Sequence, residues 1–425
     1  MAKHLLIRRA RLRTGELTDI LIENGRFARI MPEQAVEGAE IIDAMGNLVT
    51  PPFCDPHLHL DATLSVGRPR YNMSGTLLEG IQVWGEHKAT LNKETVVQNA
   101  VEVVKWEVAN GSMFLRTHVD VTDVTGVALA ALLEVREAVK AYADLQLVAF
   151  PQDCIFTSPE GPALMERAMQ AGCDVVGGLP YFELSTEDGV RAVKHVFDLA
   201  ETYGAMVDIH CDENTDDQSR YVEIIAREAI VRGMGERVTA SHTTAMHNYN
   251  NDYAAKVIGN IRRAGMNMVT NPFANACLQN RTDGYPRRRG HTRVDELLAA
   301  DVNVAIGSDD IMDPWYPMGK GSPLAGAQLL MNYAQLSGYS QVPQLFDMIT
   351  SHAARLLMLE SYGIREGNPA NLVILDADSE FDAIRLVSEA RYVIRSGRVI
   401  CHTEPARREL SVGGRTERVD FKVAK

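Results

Sequence analysis

Histidine, aspartate and glutamate, which bind metal ions and move protons in enzymes, end four short apolar segments of the chain. These residues are His57 and His59 in PHLHLD, His210 and Glu213 in DIHCDE, His242 in ASHTT, and Asp309 in GSDD. His57 and His59 are two residues apart, so on a strand both imidazoles point to the same side and can reach one ion. Taken singly, each residue is explained as well by an ordinary hydrogen-bonded side chain or a helix cap. The set therefore indicates chemistry only if the fold brings the four segments together.

The arrangement of these segments along the chain is typical of a (β/α)8 barrel. Eight strand-like runs with a polar end are separated by segments of helical period, and the runs are VTPPFCDPHLHLD, MFLRTHVDV, LQLVAFPQD, VVGGLP, MVDIHCDE, VTASHTT, MNMVTNP and NVAIGSDD. One intervening helix is predicted over residues 93–110, with Asn92 as its N-cap. A doubly wound open sheet is the alternative, but no G-x-G-x-x-G follows an early strand. Barrel active sites lie at the C-terminal ends of several strands, so we expect the ends of strands one, five, six and eight to meet at one mouth.

Both ends of the chain predict β-structure. Alternating apolar residues flank Asn24-Gly25 in DILIENGRFARI and Ser396-Gly397 in RYVIRSGRVI, and such dipeptides favour hairpin turns. Each hairpin is too short to bury a core alone. We therefore expect residues 1–50 and 365–425 to form one small β-sandwich domain, and residues 51–364 to form the α/β barrel.

Composition excludes several classes of function. The 425-residue chain carries 43 Lys and Arg against 56 Asp and Glu, a formal net charge of −13. Binding to nucleic acid or to a membrane surface requires a basic face, so neither is expected, and the basic stretch 287–289 is interpreted as a salt-bridged loop or a subunit contact. No apolar run reaches the roughly 18 residues of a membrane span. The six cysteines form no C-x-x-C pair, which suits a reducing compartment, so we expect a cytoplasmic protein.

Five motifs together resemble one enzyme family. PPFCDPHLHLD, FPQ, HCDE, SHTT and GSDDIMDPWYP resemble the amidohydrolase superfamily, and within it the bacterial cytosine deaminases. The resemblance covers almost the whole chain. It implies a mononuclear site in which one divalent metal, zinc or ferrous iron, is held by His57, His59, His210 and Asp309. It also implies that Glu213 and His242 act on protons and water.

The end of the fourth strand separates two reactions of this superfamily. Members with two metals bridge them through a carboxylated lysine at that position, whereas this chain has VVGGLPYFE, without a lysine. A second tightly bound metal is therefore not expected, which favours deamination over cyclic-amide hydrolysis of the dihydroorotase or hydantoinase kind. A third alternative is a non-catalytic barrel that serves as a scaffold, but a scaffold gives no reason for Glu213 beside four residues of metal-ligand type.

The resemblance implies hydrolytic deamination of a free nucleobase, and the residue types supply a mechanism for it. Three imidazoles and one carboxylate leave a divalent ion with net positive charge and an open position, so a bound water ionises near neutral pH. The metal-bound hydroxide would attack the carbon that bears the amino group, C4 of cytosine. Glu213 would carry a proton from the water to N3 and later to the departing amine, while His242 and Asp309 orient the attacking oxygen and stabilise its charge. The products would be uracil and ammonia.

The substrate pocket is expected to combine one polar edge with flat apolar walls. Gln152 offers a donor and an acceptor side by side, which suits the N–C=O edge of a pyrimidine, and Asp310 is expected at the other edge of the ring. Phe150 and Trp315 are candidate walls. Leu77 is a further wall candidate by resemblance only.

Two positions depart from the cytosine deaminase pattern and leave the base open. Ser308 stands where a histidine often precedes the ligand aspartate, and Met312 stands where an aromatic residue is common. A methionine adapts to varied shapes, so a pocket that contains Met312 keeps 5-methylcytosine, isocytosine and isoguanine as alternatives to cytosine. His118, in RTHVD, is left without a role, and a homo-oligomer is left open.

Overall fold

The computed structural model describes residues 4–421, which form eighteen strands and thirteen α-helices. The strands are β1 (Leu5–Arg11), β2 (Leu17–Glu23), β3 (Arg26–Met31), β4 (Glu40–Asp43), β5 (Val49–Thr50), β6 (Phe53–Leu58), β7 (Ser112–Asp120), β8 (Asp144–Phe150), β9 (Val175–Gly178), β10 (Met206–Cys211), β11 (Val238–His242), β12 (Asn267–Thr270), β13 (Asn303–Ile306), β14 (Leu372–Leu375), β15 (Ala390–Arg395), β16 (Arg398–His402), β17 (Glu409–Val412) and β18 (Arg415–Arg418). The helices are α1 (Leu77–Lys88), α2 (Lys93–Ala109), α3 (Val127–Val139), α4 (Gly161–Ala171), α5 (Thr186–Tyr203), α6 (Tyr221–Arg232), α7 (Asn251–Ala264), α8 (Pro272–Leu278), α9 (Val294–Ala299), α10 (Pro323–Tyr333), α11 (Val342–Met348), α12 (Ser351–Leu356) and α13 (Glu380–Leu386).

The chain divides into two compact units. Of the described residues, 4–52, 109–111 and 361–421 form the terminal unit, and 53–108 and 112–360 form the barrel unit. The terminal unit holds two four-stranded sheets, in the orders β3-β2-β1-β4 and β16-β15-β14-β5, and a separate β17-β18 hairpin. Side chains from both four-stranded sheets share one hydrophobic core, among them Ile7, Ile20, Leu372 and Ile394. The two chain ends therefore build one small β domain, as the sequence predicts.

The two predicted hairpins of the terminal unit are confirmed. β2 pairs with β3 around Asn24-Gly25, and β15 pairs with β16 around Ser396-Gly397. All four turn residues have positive φ, from 46° to 76°, which is the backbone of the turn that fits the twist of a two-residue hairpin. A side chain at Gly25 would also approach the carbonyl oxygen of Ser396 to 3.0 Å, so glycine is required there on two grounds.

The barrel unit contains the eight predicted strands as one parallel sheet. Their order is β6 to β13 in chain order. The first and last strands meet at a parallel bridge between Leu58 and Asp309. There the Asp309 N–H donates to the His57 carbonyl oxygen at 2.8 Å, and the His59 N–H donates to the Asp309 carbonyl oxygen at 3.1 Å. We call this bridge the closing seam. The predicted (β/α)8 class is confirmed.

Helices of the barrel unit follow the predicted apolar periodicity. α2 begins after Asn92, whose side-chain oxygen accepts a hydrogen bond from the Thr95 N–H at 2.9 Å. This contact satisfies one of the free N–H groups in the first turn. Val96, Ala100 and Val104 lie on the buried face of the helix. None of the helices in residues 4–421 combines the length and the hydropathy that a membrane crossing requires.

Candidate active site

Four side chains from β6, β10 and the closing seam meet at the C-terminal ends of the barrel strands. The Nε2 atom of His210 lies 3.3 Å from Nε2 of His57 and 3.1 Å from Nε2 of His59. Asp309 Oδ1 lies 3.3 Å from Nε2 of His57 and 3.4 Å from Nε2 of His59. All four ligand-type atoms lie within 4.8 Å of one another, and all four residues are buried. We call this group the histidine cluster.

Strand register explains why these residues converge. His57 is the penultimate residue of β6 and His210 the penultimate residue of β10, so both stand at the same edge of the sheet. Asp309 lies past the end of β13, where the closing seam fixes its backbone beside His57 and His59. Its φ of 66° is left-handed, a conformation that aspartate tolerates better than most residues.

The histidine cluster has the chemistry of a site for one divalent cation. Burial lowers the pKa of His57 to about 3 and that of His210 well below its usual value, so both imidazoles favour the neutral form that binds metals. Burial lowers the pKa of His59, but the carboxylates of Asp309, Asp61 and Asp313 together outweigh this effect and raise it above its usual value. At Asp309, burial raises the pKa, but the surrounding histidines outweigh it and keep the carboxylate ionised. Three imidazole nitrogens and one carboxylate oxygen that face a common centre match the donor set of zinc and similar ions.

Glu213 lies beside the histidine cluster without belonging to it. It follows Asp212, which has a left-handed backbone (φ 50°) and whose carboxylate accepts the Val222 N–H at 2.9 Å at the start of α6. The Tyr181 hydroxyl donates to Oε2 of Glu213 at 3.1 Å, and the Gln279 amide donates to Oε1 at 3.2 Å. Burial, and then the charge of Asp309, raise the pKa of Glu213 well above its usual value. A carboxyl group with a raised pKa can both accept and release a proton near neutral pH.

His242 completes a second group of polar atoms around the cluster. It is the last residue of β11, and its Nδ1 lies 3.6 Å from Oε1 of Glu213 and 3.9 Å from Oδ2 of Asp309. The side-chain nitrogen of Asn275 lies 3.0 Å from the same Nδ1 atom. Burial lowers the pKa of His242 to about 4. Glu213, His242 and Oδ2 of Asp309 thus surround one corner of the site.

A small cavity, partly open to solvent, lies over the histidine cluster. It is lined by His59, Leu77, Ile81, Phe150, Gln152, Leu179, Tyr181, His210, Glu213, His242, Leu278, Asp309, Asp310 and Trp315. Its lining combines an apolar wall with polar and charged side chains, which is the character of a small-molecule site.

The protein-family model described as the amidohydrolase family matches residues 40–401, most of the chain. The chain belongs to the amidohydrolase family.

Individual amidohydrolases resemble the chain over nearly its full length. The crystal structure of 5-methylcytosine deaminase from Klebsiella pneumoniae liganded with 5-fluorocytosine has 44% sequence identity and a TM-score of 0.92, and the match covers 94% of this chain and 98% of that one. N-isopropylammelide isopropyl amidohydrolase of Pseudomonas sp. (strain ADP) is 30% identical over 414 residues, 94% of this chain and 98% of the relative. Pterin deaminase of Rhizobium rhizogenes is 28% identical over 403 residues, 92% of this chain and 90% of the relative.

The apolar wall of this amidohydrolase consists of Leu77, Ile81, Leu278 and Trp315, which pack together beside the cavity. The backbone N–H of Trp315 donates to the Asp313 carboxylate at 2.9 Å, and burial raises the pKa of Asp313 to about 6. On α1, Gly80 lies directly against the indole, so that a methyl group at this position would overlap Cδ1 of Trp315. The indole can therefore occupy this position only because residue 80 is a glycine.

The amidohydrolase cavity includes five of the six candidate pocket residues and excludes Met312. Leu77, Phe150, Gln152, Asp310 and Trp315 line it, but Met312 does not. That Met312 adapts the pocket to larger bases therefore stays a prediction without support from the cavity lining. Met312 has a left-handed backbone (φ 54°), with its N–H bonded to Met318 and its carbonyl to Val66.

His118, to which the sequence assigned no role, lies below the histidine cluster. It is fully buried, and its ring centroid lies 4.1 Å from that of His57. His57, His118 and Asp208 also bring three ligand-type atoms within 4.8 Å. However, Asp208 already accepts hydrogen bonds from Arg116 at 3.0 Å and from Ser241 at 2.6 Å. We therefore infer that His118 and Asp208 support the histidine cluster and do not form a second metal site.

Sequence reasoning missed several residues of the site. Asp208 precedes His210 by two residues on one strand, and this spacing places both side chains on the same face. Tyr181 follows strand β9, where a hydroxyl at a strand end was a usable signal. Gln279 follows the short helix α8 and carries no comparable signal. Within the basic stretch 287–289, for which the sequence predicts a salt-bridged loop or a subunit contact, Arg288 forms a salt bridge with Asp283.

Proposed function

We propose that this amidohydrolase deaminates a free pyrimidine base, cytosine or an analogue substituted at C5 such as 5-methylcytosine. The reaction replaces the amino group at C4 by an oxygen from water and releases ammonia. The observation that carries the proposal is Glu213, a buried carboxyl group that faces the cavity beside four metal-type ligands without being one of them. The 44% identity to 5-methylcytosine deaminase over 94% of the chain supports the substrate class.

His57, His59, His210 and Asp309 would hold one divalent ion per chain, zinc or ferrous iron. Such an ion supplies positive charge that lowers the pKa of a coordinated water, so that hydroxide is available near neutral pH. The strand that ends at Gly178 carries no lysine to bridge a second metal.

Glu213 would transfer two protons in sequence. It first takes a proton from the attacking water as the oxygen bonds to C4, and it delivers that proton to N3 of the ring. It then takes the proton from the hydroxyl group now bonded to C4 and gives it to the amino group. The C–N bond breaks, ammonia leaves, and C4 becomes a carbonyl. Other nucleobase deaminases also use a glutamate that is not a metal ligand in this way.

The neighbouring polar groups would orient the reacting oxygen. His242 and Oδ2 of Asp309 lie on the same side as Glu213, where a developing negative charge can be stabilised. Gln152 would bind the N–C=O edge of the base, and Asp310 a second polar edge. Burial and the charge of Asp309 raise the pKa of Asp310 well above its usual value, so that its carboxyl can donate a hydrogen bond to a ring atom.

The test is an ammonia-release assay on the purified enzyme loaded with either zinc or ferrous iron. The panel contains cytosine, 5-methylcytosine, isocytosine, isoguanine, creatinine, N-isopropylammelide and a cyclic amide such as hydantoin. Turnover of cytosine or 5-methylcytosine above the others is the expected result. If isocytosine or isoguanine is deaminated fastest, that base replaces cytosine as the proposed substrate. Consumption of hydantoin without ammonia, together with two metals per chain, would support cyclic-amide hydrolysis instead.

A second candidate substrate class comes from one relative. The N-isopropylammelide hydrolase is 30% identical over 94% of this chain, and displacement of an alkylamine from a triazine ring uses the same attack by water. Release of isopropylamine faster than ammonia from any pyrimidine would favour this class.

A further inference from the structure

We infer that Ser241, fixed by Asp208 and Arg116, is a positioning residue. It keeps the imidazole hydrogen of His57 on Nδ1, so that the lone pair on Nε2 of His57 is available to the metal. The inference rests on the metal site of the proposed function. It concerns a group of side chains below the cavity, none of which lines it.

The four residues form a continuous polar column across the barrel interior. Nη1 of Arg116 donates to Oδ2 of Asp208 at 3.0 Å, and the Ser241 hydroxyl donates to Oδ1 of Asp208 at 2.6 Å. Nδ1 of His57 lies 3.1 Å from the Ser241 hydroxyl oxygen. They come from four different strands, β7, β10, β11 and β6, and all are fully buried.

The direction of each hydrogen bond follows from the donors available. Arg116 remains charged in proteins, and a carboxylate paired with it only accepts hydrogen bonds. The Ser241 hydroxyl therefore uses its single hydrogen for Asp208. Its oxygen can then interact with His57 only as an acceptor, so Nδ1 of His57 carries the hydrogen. The opposite nitrogen, Nε2, is left with its lone pair directed at His210 and Asp309.

The column is an unusual filling for this part of the fold. Barrel interiors are filled mainly with branched apolar residues, and a buried ion pair adds little stability over apolar packing. Here Arg116 is held further by Gln146, whose side-chain oxygen accepts from Nε at 3.0 Å and from Nη2 at 2.9 Å. These polar contacts are explained if they fix the orientation of His57, whereas a contribution to folding stability does not explain them. By contrast, Nδ1 of His210 has no hydrogen-bond partner among the described residues.

The first test measures how fast the zinc-loaded protein releases zinc to a chelator. Ser241→Ala removes the hydroxyl, and we expect release to be about 10- to 100-fold faster, the usual effect of removing a group that supports a metal ligand. Ser241→Thr retains a hydroxyl and should restore slow release. The matched control is Thr270→Val, which removes another buried barrel hydroxyl, one without a hydrogen-bond partner in the described chain. Release at the wild-type rate from Ser241→Ala, or equally fast release from Thr270→Val, would overturn the inference.

The second test reads the hydrogen position directly in the zinc-loaded wild-type protein. In nitrogen-15 NMR spectra of histidine-labelled protein, the His57 signals are identified by their loss in a His57→Gln variant. We expect hydrogen on Nδ1 alone, and a mixture or hydrogen on Nε2 would overturn the inference. Neither test uses catalysis. If the wild-type enzyme deaminates no base of the panel, the proposed function fails while these two results still decide the role of Ser241.

Discussion

The two sides of the cavity are built from different parts of the barrel unit. The polar side includes His59, His210, His242 and Asp309, which stand on strands or at the closing seam, where backbone pairing between neighbouring strands fixes each position. One apolar wall consists of Leu77 and Ile81 on α1, Leu278 at the end of α8, and Trp315 in the segment after β13, whereas the apolar Phe150 ends strand β8 and stacks on the His210 ring. The elements of that wall depend on side-chain packing for their positions.

This difference separates the reaction from the choice of substrate. Strand pairing tolerates little displacement, so the metal-type ligands and Glu213 keep the geometry that hydrolysis needs. Helix ends and loops can shift and accept new side chains without disturbing the sheet. We therefore expect substitutions of the metal-type ligands and of Glu213 to reduce turnover, and substitutions on the apolar side to change which base binds.

Glu213→Gln is the strongest test of the polar side. The amide keeps the shape of the side chain but cannot carry a proton, so we expect kcat to fall about 10²- to 10⁴-fold. Metal content should be unchanged, because Glu213 is not one of the four clustered ligands. Steady-state kinetics and metal analysis check both results, with the exposed Glu137→Gln as control. Normal deamination by the Glu213 variant would remove Glu213 from the mechanism.

Gln152→Ala addresses the polar edge that binds the base. Loss of its donor and acceptor leaves ring polar atoms unpaired in a buried site, which costs roughly 1–3 kcal/mol, or about a 5- to 150-fold rise in KM. Metal content should again be unchanged. An unaltered KM and kcat for cytosine and 5-methylcytosine would show that Gln152 does not contact the base.

Gly80→Ala is the sharpest test of the apolar side. The added methyl group must displace the Trp315 indole, and loss of shape complementarity in an apolar pocket changes substrate discrimination by roughly 10-fold. We expect KM to rise more for 5-methylcytosine than for cytosine, with little change in kcat. Gly85→Ala lies on the same helix with no atom within 4 Å of the new methyl group and should leave both KM values unaltered. A uniform fall in kcat for Gly80→Ala would place this residue with the polar side instead.

Met312→Phe is expected to have the smallest effect. Because Met312 lies outside the residues that line the cavity, the relative KM values across the base panel should match those of the wild type. A narrowed base preference would show that Met312 reaches the substrate after all.

The same difference explains how far the sequence could be interpreted. His57, His59, His210 and Asp309 were found because strand ends in a barrel converge, and the two-residue spacing on a strand fixes the direction of a side chain. Ile81 and Leu278 belong to apolar stripes of helices, and such stripes look alike whether they face a core or a cavity. Met312 was assigned to the pocket by resemblance alone, and it is not among the residues that line the cavity. Ser241 lay within a recognised motif, but its partners come from strands distant in sequence.

The closing seam also gives the metal site a part in folding. Asp309 joins the last strand of the ring to the first through the backbone of His57 and His59, so the complete ligand set exists only once the sheet has curled back on itself. An ion that binds only this closed form stabilises it in proportion to the logarithm of its free concentration. An ion held by the four clustered ligands would thus link metal supply thermodynamically to resistance to unfolding.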